Sequence, residues 1–322
     1  MPGIEKLINA LINDENLLRP VRAKSLVATI FGDVIESFGG RIWLGDLIRL
    51  VHLFGVNERL LRTAIYRLAE EGWVSKSRQG RRSVYELSRD GREQTALAHK
   101  LIYADRRKTW NGIWNIVIAS AGDVPPARLA QLQRRLSLMG FGVLSKNIFA
   151  HPDMDHALVR KVIAELGLQD RVPVMQSQTV TRGGGARNFT LDRELVKQCC
   201  PYDEVEVMYQ YFIAAYGGVL KRLQNKTRAF PDDACFRIRI LLMHDYRRLL
   251  FRDPQLPAQL LPPDWSGTMA REIVSRLYGR IYRQANRYYL HICDDKAFRP
   301  RLKRSFFARF GGLPATESPR ND

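Results

Sequence analysis

Residues 55–87 read GVNERLLRTAIYRLAEEGWVSKSRQGRRSVYEL and pass from a helical pattern to a strand pattern. Asn57 is a favourable N-cap, and Gly72 follows the last helical turn. Two short runs rich in β-forming residues come next, Trp73–Arg78 and Ser83–Leu87, and a turn that contains Gly80 joins them. The stretch therefore predicts a helix followed by a β-hairpin. Apolar residues recur at helical spacing within the predicted helix, at Leu61, Ala64, Ile65 and Leu68.

The residues on either side of this stretch extend the pattern. Upstream, apolar spacing predicts one helix from Val21 to Phe38 and a second from Leu44 to Phe54, with a brief strand at 41–43 between them. Downstream, Ser88 is suited to cap a helix that runs through Ala98. The order helix, helix, short turn, helix and hairpin is that of a winged helix-turn-helix, which we assign to residues 21–100. Residues 1–20 are expected to form a short amphipathic helix or a tail.

A winged helix-turn-helix places its third helix in the major groove of DNA, and its wing contacts the flanking backbone. Arginine is suited to bidentate contacts with guanine and with phosphate. For Arg67, an ion pair with Glu36 or Glu70 is the alternative role. The predicted DNA-binding set combines the helix cap, the outward helix face and the hairpin turn: Asn57, Arg59, Arg62, Thr63, Tyr66, Arg67, Arg78, Arg81 and Arg82.

The composition agrees with a nucleic-acid partner. The chain has 322 residues with 51 Lys and Arg against 33 Asp and Glu, a formal net charge of +18. Such a charge favours polyanionic partners, chiefly nucleic acid or anionic lipid. No apolar run has the roughly 18 residues of a membrane span, and the N-terminus lacks the order of a signal peptide. Because the four cysteines form no C-x-x-C pair, we expect no zinc ribbon. We expect a reduced, cytoplasmic compartment. The lack of a long apolar run predicts no membrane association.

Residues 108–182 are predicted to form a second domain. Strand and helix patterns alternate at 113–118, 127–138, 140–144, 146–151, 154–166 and 172–176, which is the order of a ferredoxin-like domain. His151, Asp153, Asp155 and His156 include metal-ligating residue types, but Pro152 and the short spacing favour a loop in which Asp153 caps the following helix. We expect no metal and no cofactor.

An enzyme is the first competing interpretation. A metal-dependent nuclease of this fold needs a carboxylate at the end of the first strand. The sequence after Ile118 reads Ala119-Ser120-Ala121 and has no acid before Asp123, so we expect no enzymatic activity. A winged-helix module that binds protein instead of DNA is the other alternative, and sequence-specific DNA binding separates the two.

Residues 190–322 are predicted to form a mainly helical C-terminal region. Helical patterns cover Asp192–Gln198, Glu204–Leu223, Ala234–Leu250, Met269–His291 and Asp295–Phe310. The expected fold class is thus α+β and multidomain: an N-terminal winged helix-turn-helix, a central ferredoxin-like domain and a helical C-terminal domain for effector binding and dimerisation.

Several long motifs resemble the phenylacetate-degradation repressor family (PaaX type). The resemblance covers nearly the whole chain, including Trp110 to Pro152. The motifs that carry it read SLVATIFGD at 25–33, GRIWL at 40–44, GVNERLLRT at 55–63, EGWV at 71–74, GRRSVY at 80–85, LMGFG at 138–142, LMHDYRR at 242–248 and RDPQLP at 252–257.

This resemblance implies a function as well as a fold. Members have a winged-helix N-terminal domain, a central domain resembling the Cas2 fold and a helical C-terminal domain. The resemblance implies a homodimeric repressor of aromatic-acid catabolic genes that binds a palindromic double-stranded DNA operator. Phenylacetyl-coenzyme A, or a related acyl-coenzyme A, is the implied effector that releases it.

A coenzyme A thioester requires cationic groups at one end of its site and an apolar slot at the other. Helical spacing places Arg237, His244 and Arg248 on one face, and Tyr209, Phe212 and Tyr216 are candidates for the apolar part. The alternative is a buried polar junction in which His244 and Arg247 bond to Asp245 or to other domains. The predicted effector-binding set lies within one helix: Arg237, Arg239, His244, Tyr246, Arg247 and Arg248.

Overall fold

The chain folds into two compact units, each built around a small β-sheet. A computed structural model describes residues 2–17, 21–103, 109–119, 124–179, 189–199, 202–224, 230–293 and 301–314. The first unit contains residues 1–105, 208–250 and 266–322, and the second contains 106–207 and 251–265. The first unit therefore joins the predicted winged-helix region to most of the predicted C-terminal helices.

Helices make up most of the first unit. Residues 2–13 form a helix rather than a tail. The helices of this unit are α1 (Pro2–Asn13), α2 (Ala23–Ile30), α3 (Leu44–His52), α4 (Glu58–Glu70), α5 (Arg89–Tyr103), α10 (Asp232–Leu250) and α11 (Ser266–Ile292), together with residues 208–224 of α9 (Asp203–Gln224).

The predicted helix from Val21 to Phe38 is observed from Ala23, but it is α-helical only as far as Ile30. After α2 the chain forms a π-helical turn, Phe31–Ile35, and then a 3-10 turn, Glu36–Phe38. Apolar spacing indicates which side is buried, but it does not determine the hydrogen-bond register of the turn. Gly39, with a φ of 103°, ends the helical stretch where the sequence predicts.

The first sheet contains the predicted hairpin. Strands β2 (Val74–Gln79) and β3 (Arg82–Leu87) are antiparallel, and the short strand β1 (Arg41–Trp43) pairs with the other edge of β3. The pairing of Gln79 with Arg82 leaves a two-residue turn, in which Gly80 has a φ of 59°. Glycine adopts this left-handed conformation without a steric penalty.

The second unit has the predicted ferredoxin-like order. Its strands are β4 (Trp114–Ile118), β5 (Gly142–Ser145), β6 (Ile148–His151) and β7 (Val174–Ser177), in the antiparallel order β5-β6-β4-β7. Buried side chains of α6 (Pro126–Leu138) and α7 (His156–Glu165) share one apolar core with the sheet. Helix α8 (Thr190–Cys199) follows. The predicted cap Asp153 is wrong: Asp155 caps α7 by accepting a hydrogen bond from the backbone N–H of Ala157.

The last predicted helix, Asp295–Phe310, is also wrong over the part that the structure describes. Residues 294–300 lie outside the described ranges, and Arg304–Gly311 forms 3-10 turns interrupted at Arg309 and Phe310. Phe310 has a φ of 56°, which a regular helix does not allow. This break lets Arg309 point into the unit, where it is buried. Within the described residues, no helix is long and apolar enough to cross a membrane.

Candidate nucleic-acid interface

Helix α4 presents one apolar and one polar face. Its apolar stripe is buried, and Asn57 caps its first turn by accepting a hydrogen bond from the backbone N–H of Leu60 at 2.9 Å. Burial of the stripe fixes the rotation of the helix, so the opposite face is held toward solvent. The structure brings five predicted residues together on that exposed face: Arg59, Arg62, Thr63, Tyr66 and Arg67.

Polar side chains on this face are bonded along the helix. The Nε and Nη2 atoms of Arg62 donate to Oε1 of Glu58 at 2.8 and 2.5 Å. The hydroxyl of Tyr66 donates to Glu70 at 2.7 Å, and this hydrogen bond raises the pKa of Tyr66. Both side chains of the Arg62–Glu58 pair are more than half exposed. Exposed pairs of this kind contribute little, so Arg62 is able to exchange Glu58 for a phosphate or a base.

Arg67 does not form the ion pair that was its alternative role. Glu36 instead bonds Lys303, and Glu70 accepts from Tyr66. Within the ranges that the structure covers, Arg67 has no ion-pair partner. Its guanidinium therefore remains available on the outer face of α4.

The hairpin places further arginines at its turn. Arg78, Arg81 and Arg82 are all exposed, and they lie at or beside the two-residue turn. The guanidinium of Arg82 lies over the ring of Trp43, 5.5 Å from its centroid. Residues 57–87 contain seven Lys and Arg against four Glu. The helix face and the hairpin turn thus form a positive surface suited to a phosphate backbone.

The predicted effector-binding residues lie on α10, and none of the six is exposed. Arg237 pairs with Glu5 of α1 at 2.8 Å. Nδ1 of His244 is 3.2 Å from the hydroxyl of Thr29, and Arg247 donates to the backbone carbonyl of Ser25 at 2.9 Å.

Arg239 and Tyr246 are buried, and Arg248 is half-buried. Arg239 donates to Asp33, Asn286 and the backbone carbonyl of Asp33. These contacts correspond to the alternative of a buried polar junction, and most of them reach the N-terminal segment (residues 23–103).

The aromatic residues of α9 belong to the same packed region. Tyr209, Phe212 and Tyr216 are buried, and the rings of Phe212 and Tyr216 lie 4.6 Å apart. The hydroxyl of Tyr216 donates to Asp245 at 2.6 Å. They form core packing in this conformation rather than the wall of an open slot.

The end of β4 offers no acidic side chain at the position that a metal-dependent nuclease requires. Ile118 is followed by the buried Ala119, and Asp123 lies outside the described residues. Across the described ranges, no group of three or more His, Cys, Asp and Glu side chains is placed to hold a metal ion. His151 is buried, and its Nδ1 accepts a hydrogen bond from the backbone N–H of Asp153.

Sequence reasoning missed the contacts of Asp33 and Arg309, which are both buried in the first unit. Asp33 is the one acidic residue within the apolar run from Leu26 to Ile35, and this isolation is the signal that was available. A buried carboxylate requires a partner. Nothing in the local sequence identifies Arg309, 276 positions away, as that partner.

Three family models match the chain. The model described as PaaX-like protein covers residues 22–91, the PaaX protein central Cas2-like domain covers 107–188, and the PaaX-like protein C-terminal domain covers 201–291. This chain belongs to the PaaX-like protein family. The match confirms the family resemblance and the Cas2-like assignment of the second unit.

Individual proteins agree with this membership. The chain is 33% identical over 295 residues to the transcriptional repressor PaaX of Escherichia coli (strain K12), covering 91% of this chain and 92% of that protein. The solved structure of an uncharacterized protein from Mycobacterium tuberculosis covers 84% of this chain and 99% of its own, with 21% identity and a TM-score of 0.51. At that identity, the structural likeness shows the fold alone.

Proposed function

We propose that this PaaX-like protein is a transcriptional repressor whose N-terminal segment is a winged helix-turn-helix that binds double-stranded DNA. The observation that carries the proposal is the exposed arginine face of α4 beside the basic turn of the β2–β3 hairpin. The name of the Escherichia coli relative supports it. An α-helix with its side chains is about 10–12 Å wide and fits the major groove of B-DNA, which is about 12 Å wide.

The proposed operator is a palindrome bound by a homodimer. One reading helix contacts only a few base pairs, and a two-fold axis between protomers doubles the site that is read. The family resemblance supports genes of phenylacetate-type aromatic catabolism as the targets, with repression in the cytoplasm.

The proposed effector is an aryl-coenzyme A thioester such as phenylacetyl-coenzyme A. Its phosphates require cationic groups, and three arginines of α10 are only partly buried: Arg237, Arg247 and Arg248. Two of the predicted residues, His244 and Arg247, contact α2 of the N-terminal segment. A ligand that competes for these contacts would change how α2 is held, and α2 packs beside the reading helix α4. Differential binding of this kind is what shifts a protein between two conformations.

DNA binding is tested by fluorescence anisotropy with duplexes from the region upstream of the protein's own gene and with unrelated duplexes of equal length. We expect tight binding to at least one upstream duplex and much weaker, salt-sensitive binding to unrelated DNA. Equal affinity for all duplexes would refute operator recognition.

Effector release is tested by titrating the protein–operator complex with phenylacetyl-coenzyme A, other acyl-coenzyme A thioesters and the free acids. We expect aryl thioesters to release the DNA and free acids to leave it bound. Arg248→Gln should raise the thioester concentration needed for release without changing operator affinity. Arg276→Gln is the matched control, because Arg276 is an exposed arginine of α11 paired with Glu272. Release by free acids alone would contradict a coenzyme A site.

A further inference from the structure

The strongest unexplained feature of the first unit is the buried carboxylate of Asp33, in the π-helical turn that follows α2. Its oxygens accept hydrogen bonds from Nε of Arg239 at 2.6 Å and from the hydroxyls of Tyr103 at 2.6 Å and Tyr278 at 3.0 Å. Nη1 of Arg309 lies 3.1 Å away. Burial alone would raise the pKa of Asp33, but the two guanidinium groups lower it below its usual value.

Arg309 reaches this carboxylate from residues 301–314, which we call the C-terminal strap. Its Nη1 also donates to the backbone carbonyl of Asp33 at 2.9 Å, and its Nη2 donates to the hydroxyl of Ser37 at 2.8 Å. The guanidinium lies 4.2 Å from the centroid of the Tyr103 ring. Arg309 thus bonds both the π-helical turn and the 3-10 turn of the N-terminal segment.

The charge balance of the cluster separates the roles of its two arginines. One buried carboxylate faces two buried guanidinium groups, so neutralisation requires only one of them. Arg239 already donates to both the carboxylate and the backbone carbonyl of Asp33, and it also donates to Asn286. Removal of Arg309 would leave a balanced ion pair, whereas removal of the Asp33 charge would leave two like charges buried together. The distinct contribution of Arg309 is therefore a buried attachment of the strap, in addition to the bonds that Lys303 makes to Ser37 and Glu36.

The π-helical turn connects this cluster to the proposed DNA-binding surface. Phe31 packs edge-on against Trp73, with ring centroids 6.0 Å apart. Trp73 lies between α4 and β2. Its backbone N–H donates to the carbonyl of Leu68 in α4, and its backbone carbonyl accepts from the backbone N–H of Ser88, just beyond β3. A change in the π-helical turn would therefore reach the end of the reading helix and both strands of the hairpin.

We propose that Arg309 is a positioning residue for DNA binding, and that the C-terminal strap is a working part of the DNA-reading element. The inference rests on the proposed function. Arg309 holds the irregular turns after α2 in the conformation that places Phe31 against Trp73. The strap thereby sets the angle at which α4 and the hairpin are presented to DNA.

The test compares Arg309→Met with Lys303→Met in the full-length protein. Both variants lose one positive charge from the strap, but the side chain of Lys303 is partly exposed and forms an ion pair with Glu36, and such exposed pairs contribute little. The backbone hydrogen bond from Lys303 to the Ser37 carbonyl is kept in the variant. At a temperature far below unfolding, we expect Arg309→Met to remain folded and to bind the operator at least tenfold more weakly. Lys303→Met should bind within about twofold of the wild type. Wild-type affinity of folded Arg309→Met would overturn the proposal.

A double-mutant cycle with Asp33→Asn checks the charge argument by thermal unfolding. We expect Asp33→Asn to lower the melting temperature more than Arg309→Met does, and addition of Arg309→Met to Asp33→Asn to recover part of the loss. Additive losses would overturn the charge balance on which the assignment rests. Wild-type protein that binds operator and unrelated DNA equally would refute the proposed function itself, whereas operator-specific binding that is unaffected by Arg309→Met would refute only the role of the strap.

Discussion

Among single residues, Arg62 has the most direct path to DNA. It is on the exposed face of α4, and its partner Glu58 lies one turn earlier on the same helix. Because both side chains are exposed, their pairing costs little to break. The same glutamate places a negative charge on the exposed face of α4, which is the face proposed to contact DNA.

We expect Arg62→Ala to weaken operator binding by about 1–3 kcal/mol if Arg62 contacts a base. The variant should also discriminate less between bases at the operator position that Arg62 contacts. Glu58→Gln should strengthen binding slightly, because it frees Arg62 and removes a repulsive charge. Fluorescence anisotropy with single-base operator variants measures both effects. Unchanged affinity of Arg62→Ala, with helicity intact by circular dichroism, would reject the assignment.

His151 is a residue whose environment predicts a pH effect. Its ring is buried in the second unit, and burial lowers its pKa to about 4 although a hydrogen bond with the Pro254 carbonyl opposes the change. Nδ1 accepts from the backbone N–H of Asp153, so Nε2 is left to donate to Pro254. Protonation would place a hydrogen on Nδ1, which already faces the backbone N–H donor of Asp153.

The second unit should therefore lose stability on acidification. The unfolded chain binds a proton near pH 6.5 but the folded chain only near pH 4, so stability is complete above pH 6.5 and falls as the pH drops toward 4, by roughly 3 kcal/mol. Chemical denaturation across this pH range, monitored by hydrogen exchange of the backbone amides in β4 and β6, measures this loss. His151→Gln should show a flatter pH dependence, and an equally steep one would contradict the explanation.

At the scale of elements, helix α4 and the β2–β3 hairpin were predictable almost residue by residue. Their signals are local: a cap at Asn57, an apolar stripe every three to four residues, and a glycine turn between two β-forming runs. The π-helical turn at Phe31–Ile35 was not predictable, because the Asp33 carbonyl within it accepts hydrogen bonds from Arg239 and Arg309, which are 206 and 276 positions away.

The hairpin turn makes a testable contribution as an element. We expect the triple variant Arg78→Gln, Arg81→Gln and Arg82→Gln to reduce the steepness with which operator affinity falls with salt. Each lost phosphate contact changes the slope of log K against log salt by about 0.9, so three contacts change it by about 3. Anisotropy titrations across a salt series measure the slope. An unchanged slope would place the hairpin away from the DNA backbone.

At the scale of the whole molecule, the first unit combines the proposed reading helix with α10, α11 and the C-terminal strap. Hydrogen bonds link them, such as the buried one from Arg239 to Asp33 and the partly buried one from Arg247 to Ser25. Helix α10 is therefore in direct contact with α2, the helix that packs against α4.

We expect the protein to be a dimer when bound to DNA, because a palindromic operator presents two equivalent half-sites. Light scattering of the complex should give two chains per operator duplex, and a half-site duplex should bind far more weakly. One chain per full operator would contradict the proposed mode of recognition.

The sequence by itself determined the elements whose signals are local. These include the capped helix α4, the hairpin with Gly80 at its turn and the alternation of strands and helices in the ferredoxin-like unit. Only the tertiary structure decided the partner of Asp33, the departure from α-helix after Ile30 and the burial of the α10 cations. The physical reason is distance along the chain: Asp33 and Arg239 are separated by 206 positions, and a buried charge takes whichever partner the folded packing brings to it.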